Sequence, residues 1–176
     1  HDVGQRRAAL GDVVNALVTG ASKGIGRATA IALAAAGHTV AVGYAGDEEG
    51  GAKTAADVGG VAVHLDVTDV ASVEAAFAAV EQSIGPVGVL INNAGVTADG
   101  LVMRMSDDQW TSVLRTNLDG AFTCTRRALP KMVRARTGRI VNVGSVAGTL
   151  GNAGQANYAA AKAGLVGLTR AVAREV

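Results

Sequence analysis

The stretch "VVNALVTGASKGIGRATAIALAAAG" (residues 13–37) changes character twice. Residues 13–19 are a short, largely apolar β-branched run. The turn "TGASKGIG" (19–26) then spaces glycines at Gly20, Gly24 and Gly26. From Gly24 onward the apolar residues recur at helical intervals until Gly37 supplies a stop. A strand that feeds a glycine loop and then a helix is the first half of a parallel βαβ unit. Backbone N–H groups in such a loop can approach a pyrophosphate, which also meets the positive end of the helix. The spacing is G-x-x-x-G-x-G, not the usual G-x-G-x-x-G, and three glycines alone would fit a tight turn equally well. Their place between strand and helix is what makes them a phosphate loop. On that reading Gly20, Ser22, Lys23, Gly24, Ile25 and Gly26 are the positions that hold a dinucleotide.

The same alternation continues along the chain. Strands are expected at 39–43, 61–67, 87–93 and 139–145, and a helix at 47–58. A further helix starts at Thr68 or Asp69 and stops at Gly85. Ser106 and Gln109 make a capping-box pattern that opens one long helix reaching residue 136, with a kink at Pro130. A last helix begins near residue 156 and runs toward Val176. The strand runs are apolar on both faces, as in a parallel sheet covered by helices on each side. Repeated strand–helix units predict a doubly wound, three-layer α/β/α domain over residues 13–176. Residues 1–12, "HDVGQRRAALGD", show no pattern and read as a tail.

Composition supports a single folded domain. The chain has 176 residues, 49% of them hydrophobic but only 3% aromatic, so the core is aliphatic and rich in alanine. No apolar run has the roughly 18 residues a membrane helix needs, and no secretory signal is read at the start. One cysteine, Cys124, cannot form an internal disulfide and fits a reducing cytoplasm. His1, His38 and His64 have no cysteine or carboxylate cluster at ligand spacing, so no metal is expected. Net charge is +1, yet nine basic and no acidic residues lie between Gly120 and Arg174. That asymmetry predicts a local basic face. Without interleaved aromatics it does not read as a nucleic-acid surface.

A site that binds NAD usually carries an acid about 20 residues past the glycines, on the ribose hydroxyls. Gly43 and Tyr44 stand there, and the next acid is Asp47. Lys23, inside the loop, could meet a 2′-phosphate, although an ordinary exposed lysine would read the same way. Both features favour NADPH. Asp66 and Val67 close the third strand, where they could contact the adenine. For Asp66 a helix-capping role before Thr68 is an equal alternative.

Near the other end, "NYAAAKAG" (157–164) puts Tyr158 and Lys162 four residues apart, on one helical face. A phenol with a pKa of about 10 is a poor proton donor at neutral pH unless something favours its anion. A cation within about 4–6 Å does so. A surface Tyr and Lys on a solvated helix would show the same spacing, but Ser145 shifts the balance. It closes the fifth strand, and the carboxyl ends of strands line the ligand crevice of a doubly wound sheet. "INNAG" (91–95) closes the fourth strand at the same edge, which makes Asn93, Ala94 and Gly95, with Asn92, candidates for the nicotinamide side. Asn117, a poor helix former within a helical run, is a candidate buried polar group that holds water.

With these pieces in order, the chain from 13 to 176 resembles the short-chain dehydrogenase/reductase family. TGASKGIG, NNAG, Asn117, Ser145 and Tyr158-x-x-x-Lys162 carry the resemblance. "MRMSDDQW" (103–110) and "GNAGQANYAAAKAGL" (151–165) are similar, more narrowly, to the β-ketoacyl-[acyl-carrier-protein] reductases of fatty acid synthesis. The resemblance implies that Tyr158 is the general acid, that Lys162 supports it and holds the nicotinamide ribose, that Ser145 orients the ketone, and that Asn117 holds a relay water. It implies NADPH as cofactor, a homotetramer, and an acidic carrier protein docking on the basic run, first of all at Arg134 and Arg136. A solvated helix end is the alternative for that run. It further implies two more strands and a substrate-covering loop beyond Val176, so the domain is read as incomplete at its C-terminus. A reductase acting on acetoacetyl-CoA or another ketone, and a non-catalytic cofactor-binding scaffold, are the competing functions.

Overall fold

The computed structural model describes residues 13–176; the tail expected at 1–12 lies outside the described residues. Five parallel strands form one sheet in the order β3-β2-β1-β4-β5. They are β1 (Asn15–Val18), β2 (Thr39–Tyr44), β3 (Val61–His64), β4 (Val87–Asn92) and β5 (Arg139–Asn142). The helices are α1 (Gly24–Ala35), α2 (Glu48–Val58), α3 (Val70–Ile84), α4 (Asp107–Leu114), α5 (Gly120–Ala135), α6 (Ala147–Leu150) and α7 (Ala156–Glu175). Two further turns are helical but not α: a 3₁₀ turn at Val102–Arg104 and a π turn at Arg115–Asp119.

Because side chains alternate across a strand, the two sheet faces collect different partners. Leu17, Ala41 and Leu90 pack with Val73, Phe77 and Val80 of α3 and Cys124, Ala128 and Met132 of α5. Val18, Val40, Val42 and Ile91 pack on the other face with Ala30 of α1 and Ala55 of α2. The three-layer expectation therefore holds at the centre of the sheet, where β1 and β2 are buried. The edges differ. β3 and β5 alternate half-buried with exposed residues, and Val141 of β5 is exposed.

The strands end earlier than their sequences suggest. β3 stops at His64, not Val67, because Leu65 and Val67 turn inward and join the core below α3. β5 stops at Asn142, not Ser145. The capping box is present, with Gln109 N–H donating to Ser106 Oγ at 3.2 Å and Ser106 N–H to Gln109 Oε1 at 3.0 Å. The long helix it was expected to open runs unbroken from Asp107 to Ala135, as α4, the π turn and α5, with right-handed helical backbone at each junction. The α5 segment runs through Pro130 to Ala135. Its cations also have structural work. Arg127 grips Glu74 at 2.6 Å and Glu81 at 3.1 Å on α3, and Lys131 reaches Glu81 at 2.6 Å. Burial opposes ionisation of Glu81, but the hydrogen bonds from Arg127 and Lys131 win and hold its carboxyl below the usual range. Arg127 and Lys131 of the basic run are thus fastened to the fold, while Arg134 and Arg136 are exposed.

Candidate active site

The strand order reverses between β1 and β4, and that switch point opens a crevice at their carboxyl ends. One hydroxyl ties its two walls together. Thr19 Oγ1, just past β1, accepts from the main-chain N–H groups of Asn93 (3.0 Å) and Ala94 (2.9 Å), just past β4. Asn93 returns the tie, its Nδ2 donating to the carbonyls of Thr19 (2.9 Å) and Gly20 (3.0 Å). Gly26 has to be glycine here: a Cβ would overlap the Gly20 carbonyl oxygen and stand 2.5 Å from Asn93 Nδ2. The phosphate loop is thereby pressed flat on the Asn93 side chain. Asn93 and Ala94 act as braces for the loop, a role the sequence did not reveal. Asn92 is also structural, buried and donating to Asn142 Oδ1 at 2.8 Å and Thr125 Oγ1 at 3.1 Å.

Within the loop Lys23 and Gly24 are exposed, Ser22 is half-buried, and Ile25 stands 67% exposed on the first turn of α1. Gly20 and Gly24 adopt positive φ (62° and 58°), and space around Gly24 is open to 4 Å. This is a cradle that a pyrophosphate fits. Asp66 uses its carboxylate locally, with Oδ1 accepting from the N–H (2.8 Å) and hydroxyl (2.7 Å) of Thr68, which lowers its pKa. Asp69 caps α3, accepting from Ala71 N–H at 3.0 Å. The Val67 side chain is buried in the core, which leaves main chain at that edge.

The second half of the site gathers around Lys162. Its side chain is 4% exposed, its Nζ donates to the Val143 carbonyl at 2.8 Å, and the Tyr158 ring centroid lies 5.6 Å away. Burial lowers the Lys162 pKa. Among the described residues no carboxylate pairs with it, so its field is open to the groups beside it. Gly95 lies between Lys162 and Asn117. A Cβ on Gly95 would stand 2.5 Å from Asn117 Oδ1 and 3.7 Å from Lys162 Nζ. Asn117 is buried, with Nδ2 donating to the carbonyls of Val96 (2.8 Å) and Val113 (2.9 Å), while Oδ1 has no partner among the described residues. That buried free acceptor is a place for water. The bond to Val113, four residues back, lies where the helix widens into the π turn.

Ser145 follows β5 at the crevice edge, its Oγ accepting from Ala147 N–H at 3.2 Å as α6 begins. Small residues let α6 reach α7: a Cβ on Gly148 would come within 2.7 Å of Ala163 N. The alanine–glycine character around Lys162 therefore serves first to seat the Ser145 turn against the Tyr158 helix. Asn157 was not anticipated. It is fully buried, its Nδ2 donates to the carbonyls of Ala98 and Gln109 (3.0 Å each), and its Oδ1 accepts from Tyr158 N–H at 2.8 Å. It fixes the start of α7 to the loop after β4. The only available signal was an asparagine directly before the tyrosine. Gly100 N–H donates to the Gly154 carbonyl at 2.8 Å, joining that loop to the one after α6. Val102 and Met103, after β4, and Val146 and Leu150, after β5, are exposed apolar side chains.

Comparison with known proteins agrees with this geometry. The family described as short chain dehydrogenase matches residues 14–176. The chain is 50% identical over 163 residues to the 3-oxoacyl-[acyl-carrier-protein] reductase FabG of Vibrio harveyi, covering 92% of this chain and 66% of the relative. The protein of the same name from Staphylococcus aureus is 47% identical over 167 residues, covering 92% and 68%. That from Escherichia coli is 48% identical over 163 residues, covering 92% and 66%. The chain thus spans about two thirds of the length of these curated relatives.

Proposed function

This chain belongs to the short-chain dehydrogenase family, and from that premise we propose that it reduces the ketone of a β-ketoacyl thioester, borne on acyl carrier protein, with NADPH. The observation that carries the proposal is the buried Lys162 ammonium, uncompensated by any described carboxylate, beside Tyr158 at the crevice of the glycine loop. When bound, the reduced nicotinamide supplies the hydride. Gly20, Ser22, Lys23, Gly24, Ile25 and Gly26 line the cradle for its pyrophosphate, with Asp66 and Val67 toward the adenine and Asn93, Ala94 and Gly95 toward the nicotinamide.

The chain's own residues then manage one proton. Ser145 Oγ aligns the substrate carbonyl. Tyr158 gives its phenolic proton to the carbonyl oxygen as negative charge develops there. Lys162 favours the phenolate that remains, and its protons not engaged by Val143 can hold the cofactor ribose. Asn117 Oδ1, free and buried beside Gly95, holds a water through which the proton is restored. The exposed apolar side chains of Val102, Met103, Val146 and Leu150, on the segments that follow β4 and β5, suit contact with an acyl chain.

We further propose a place in fatty acid biosynthesis, a cytoplasmic location and a homotetramer. The free thiol of the sole cysteine supports the location. The half-exposed Phe122 and Val133 of α5 and Val166 of α7 support an assembly through those helices. Arg134 and Arg136 are the proposed dock for an acidic carrier protein. Loss of NADPH absorbance tests the reading with acetoacetyl thioesters of carrier protein and of CoA. Turnover on the carrier-protein thioester is expected to exceed that on CoA. Preference for CoA would favour an acetoacetyl-CoA reductase, and no turnover on either would end the reading.

A further inference from the structure

The adenosine end of the crevice contains an acid in an unexpected place. Asp47 lies three residues past β2, beyond the position where an acid meets ribose hydroxyls in NAD sites, yet the fold folds it back onto the phosphate loop. It is the N-cap of α2, and its Oδ1 accepts from Gly50 N–H at 3.0 Å. Its carboxylate also faces the Ser22 side chain and lies within the field of Lys23. Two more contacts hold loop and helix together. Thr54 of α2 donates from Oγ1 to the Ser22 carbonyl at 3.4 Å, and Ala21 N–H donates to the Gly43 carbonyl at 2.9 Å. The Gly50 hydrogen bond, then the Ser22 side chain and Lys23, hold the Asp47 carboxyl below its ordinary range, so it is ionised throughout the neutral region. Tyr44 offers no alternative contact on this side. Its ring is wedged under α2 at Gly51 and meets His64 edge-on at 5.9 Å.

Lys23 is the cation that would meet a 2′-phosphate, Ser22 stands next to it, and Asp47 faces Ser22 with Lys23 in its field. A dinucleotide with that phosphate must share them with a fixed negative charge. One with a free 2′-hydroxyl meets the same carboxylate as a hydrogen-bond acceptor. We infer that Asp47 is a specificity-determining residue that narrows this chain's preference for the 2′-phosphorylated dinucleotide and lets it accept NADH as well as NADPH. The inference rests on the dinucleotide reading above but concerns a different residue and a different readout.

The test uses nucleotide fragments, which need no turnover. Isothermal titration of the full chain with 2′,5′-ADP and with 5′-AMP measures the adenosine pocket alone. Asn caps helices about as well as Asp, so Asp47→Asn keeps α2 while removing the charge; Asp47→Ser, also a capping side chain, serves as a second variant. Both should bind 2′,5′-ADP about three- to tenfold tighter than the wild type in low salt, as expected for removing one charge from near a phosphate at an exposed site. 5′-AMP should bind each variant no tighter than it binds the wild type. The gain for 2′,5′-ADP should shrink at high salt, which a purely structural effect would not do. Unchanged 2′,5′-ADP affinity in both variants, or equal gains for both nucleotides, overturns the inference and leaves the dinucleotide reading standing. If neither nucleotide binds the wild type or the variants, the dinucleotide reading falls, and this inference with it.

Discussion

Replacing Gly95 with alanine is the sharpest single perturbation of this site. Gly95 has no positive φ, so the backbone tolerates alanine and the whole effect comes from one methyl. That methyl would lie 2.5 Å from Asn117 Oδ1, roughly 1 Å inside ordinary contact. Asn117 cannot yield freely, because its amide is fixed by bonds of 2.8 and 2.9 Å to Val96 and Val113 in the π turn. Losing one such bond costs about 1 kcal/mol, and overpacking adds roughly 1–3 kcal/mol. Gly95→Ala should therefore destabilise the fold by about 2–4 kcal/mol, read as a fall in urea midpoint with unchanged slope. A displacement near 1 Å beside Lys162 should also reduce turnover about a hundredfold. A double-mutant cycle isolates the cause. In the Asn117→Ala background the methyl has no oxygen to strike, so the added cost should fall to a few tenths of a kcal/mol. A Gly95→Ala protein within 0.5 kcal/mol of wild type and fully active, or one whose penalty persists without Asn117, would refute the reasoning.

Three other predictions follow from charge, backbone and burial. Burial lowers the Lys162 pKa, so the unfolded chain binds more protons between that value and the unfolded value of about 10.4, and stability should rise with pH across that window; urea midpoints measured toward pH 10 should lose this rise in Lys162→Met. Arg136 ends α5 in the left-handed conformation at φ 52°, so Arg136→Gly should raise the melting temperature by relieving up to about 1 kcal/mol of strain while weakening carrier-protein binding, and losing both stability and docking would count against it. Burial pushes the Cys124 thiol up to about 12, so a thiol reagent at pH 8 should label the native chain far more slowly than the unfolded chain, where its one cysteine reacts at once.

What the sequence made legible was local. The glycine loop and the Tyr158–Lys162 pair each lie within eight residues, so spacing alone places their groups together. The capping box at Ser106 and Gln109 was legible for the same reason. What stayed hidden depends on distant partners. Asn93 braces Gly20 from 73 residues away, and Arg127 meets Glu74 and Glu81 from 53 and 46 residues away. No periodicity reports such pairs, so a basic run looked more available than it is. Asn117 reads as an odd helical residue, but the π turn around it and the carbonyls its amide takes are not visible in its spacing. The strand ends were overread at Leu65, Val67 and Val143 because apolar residues entering the core from a loop resemble strand residues. Asp47 illustrates the same limit at the cofactor pocket, since its offset from β2 concealed its return to Ser22.

The central claim is that the Tyr158 phenol delivers the proton, with Lys162 beside it. Tyr158→Phe removes one oxygen and leaves the ring, the helix and Lys162 in place, so turnover of acetoacetyl thioester should fall at least a thousandfold while calorimetric NADPH affinity stays within about threefold of the wild type. Turnover that survives this substitution with cofactor binding intact would contradict the account.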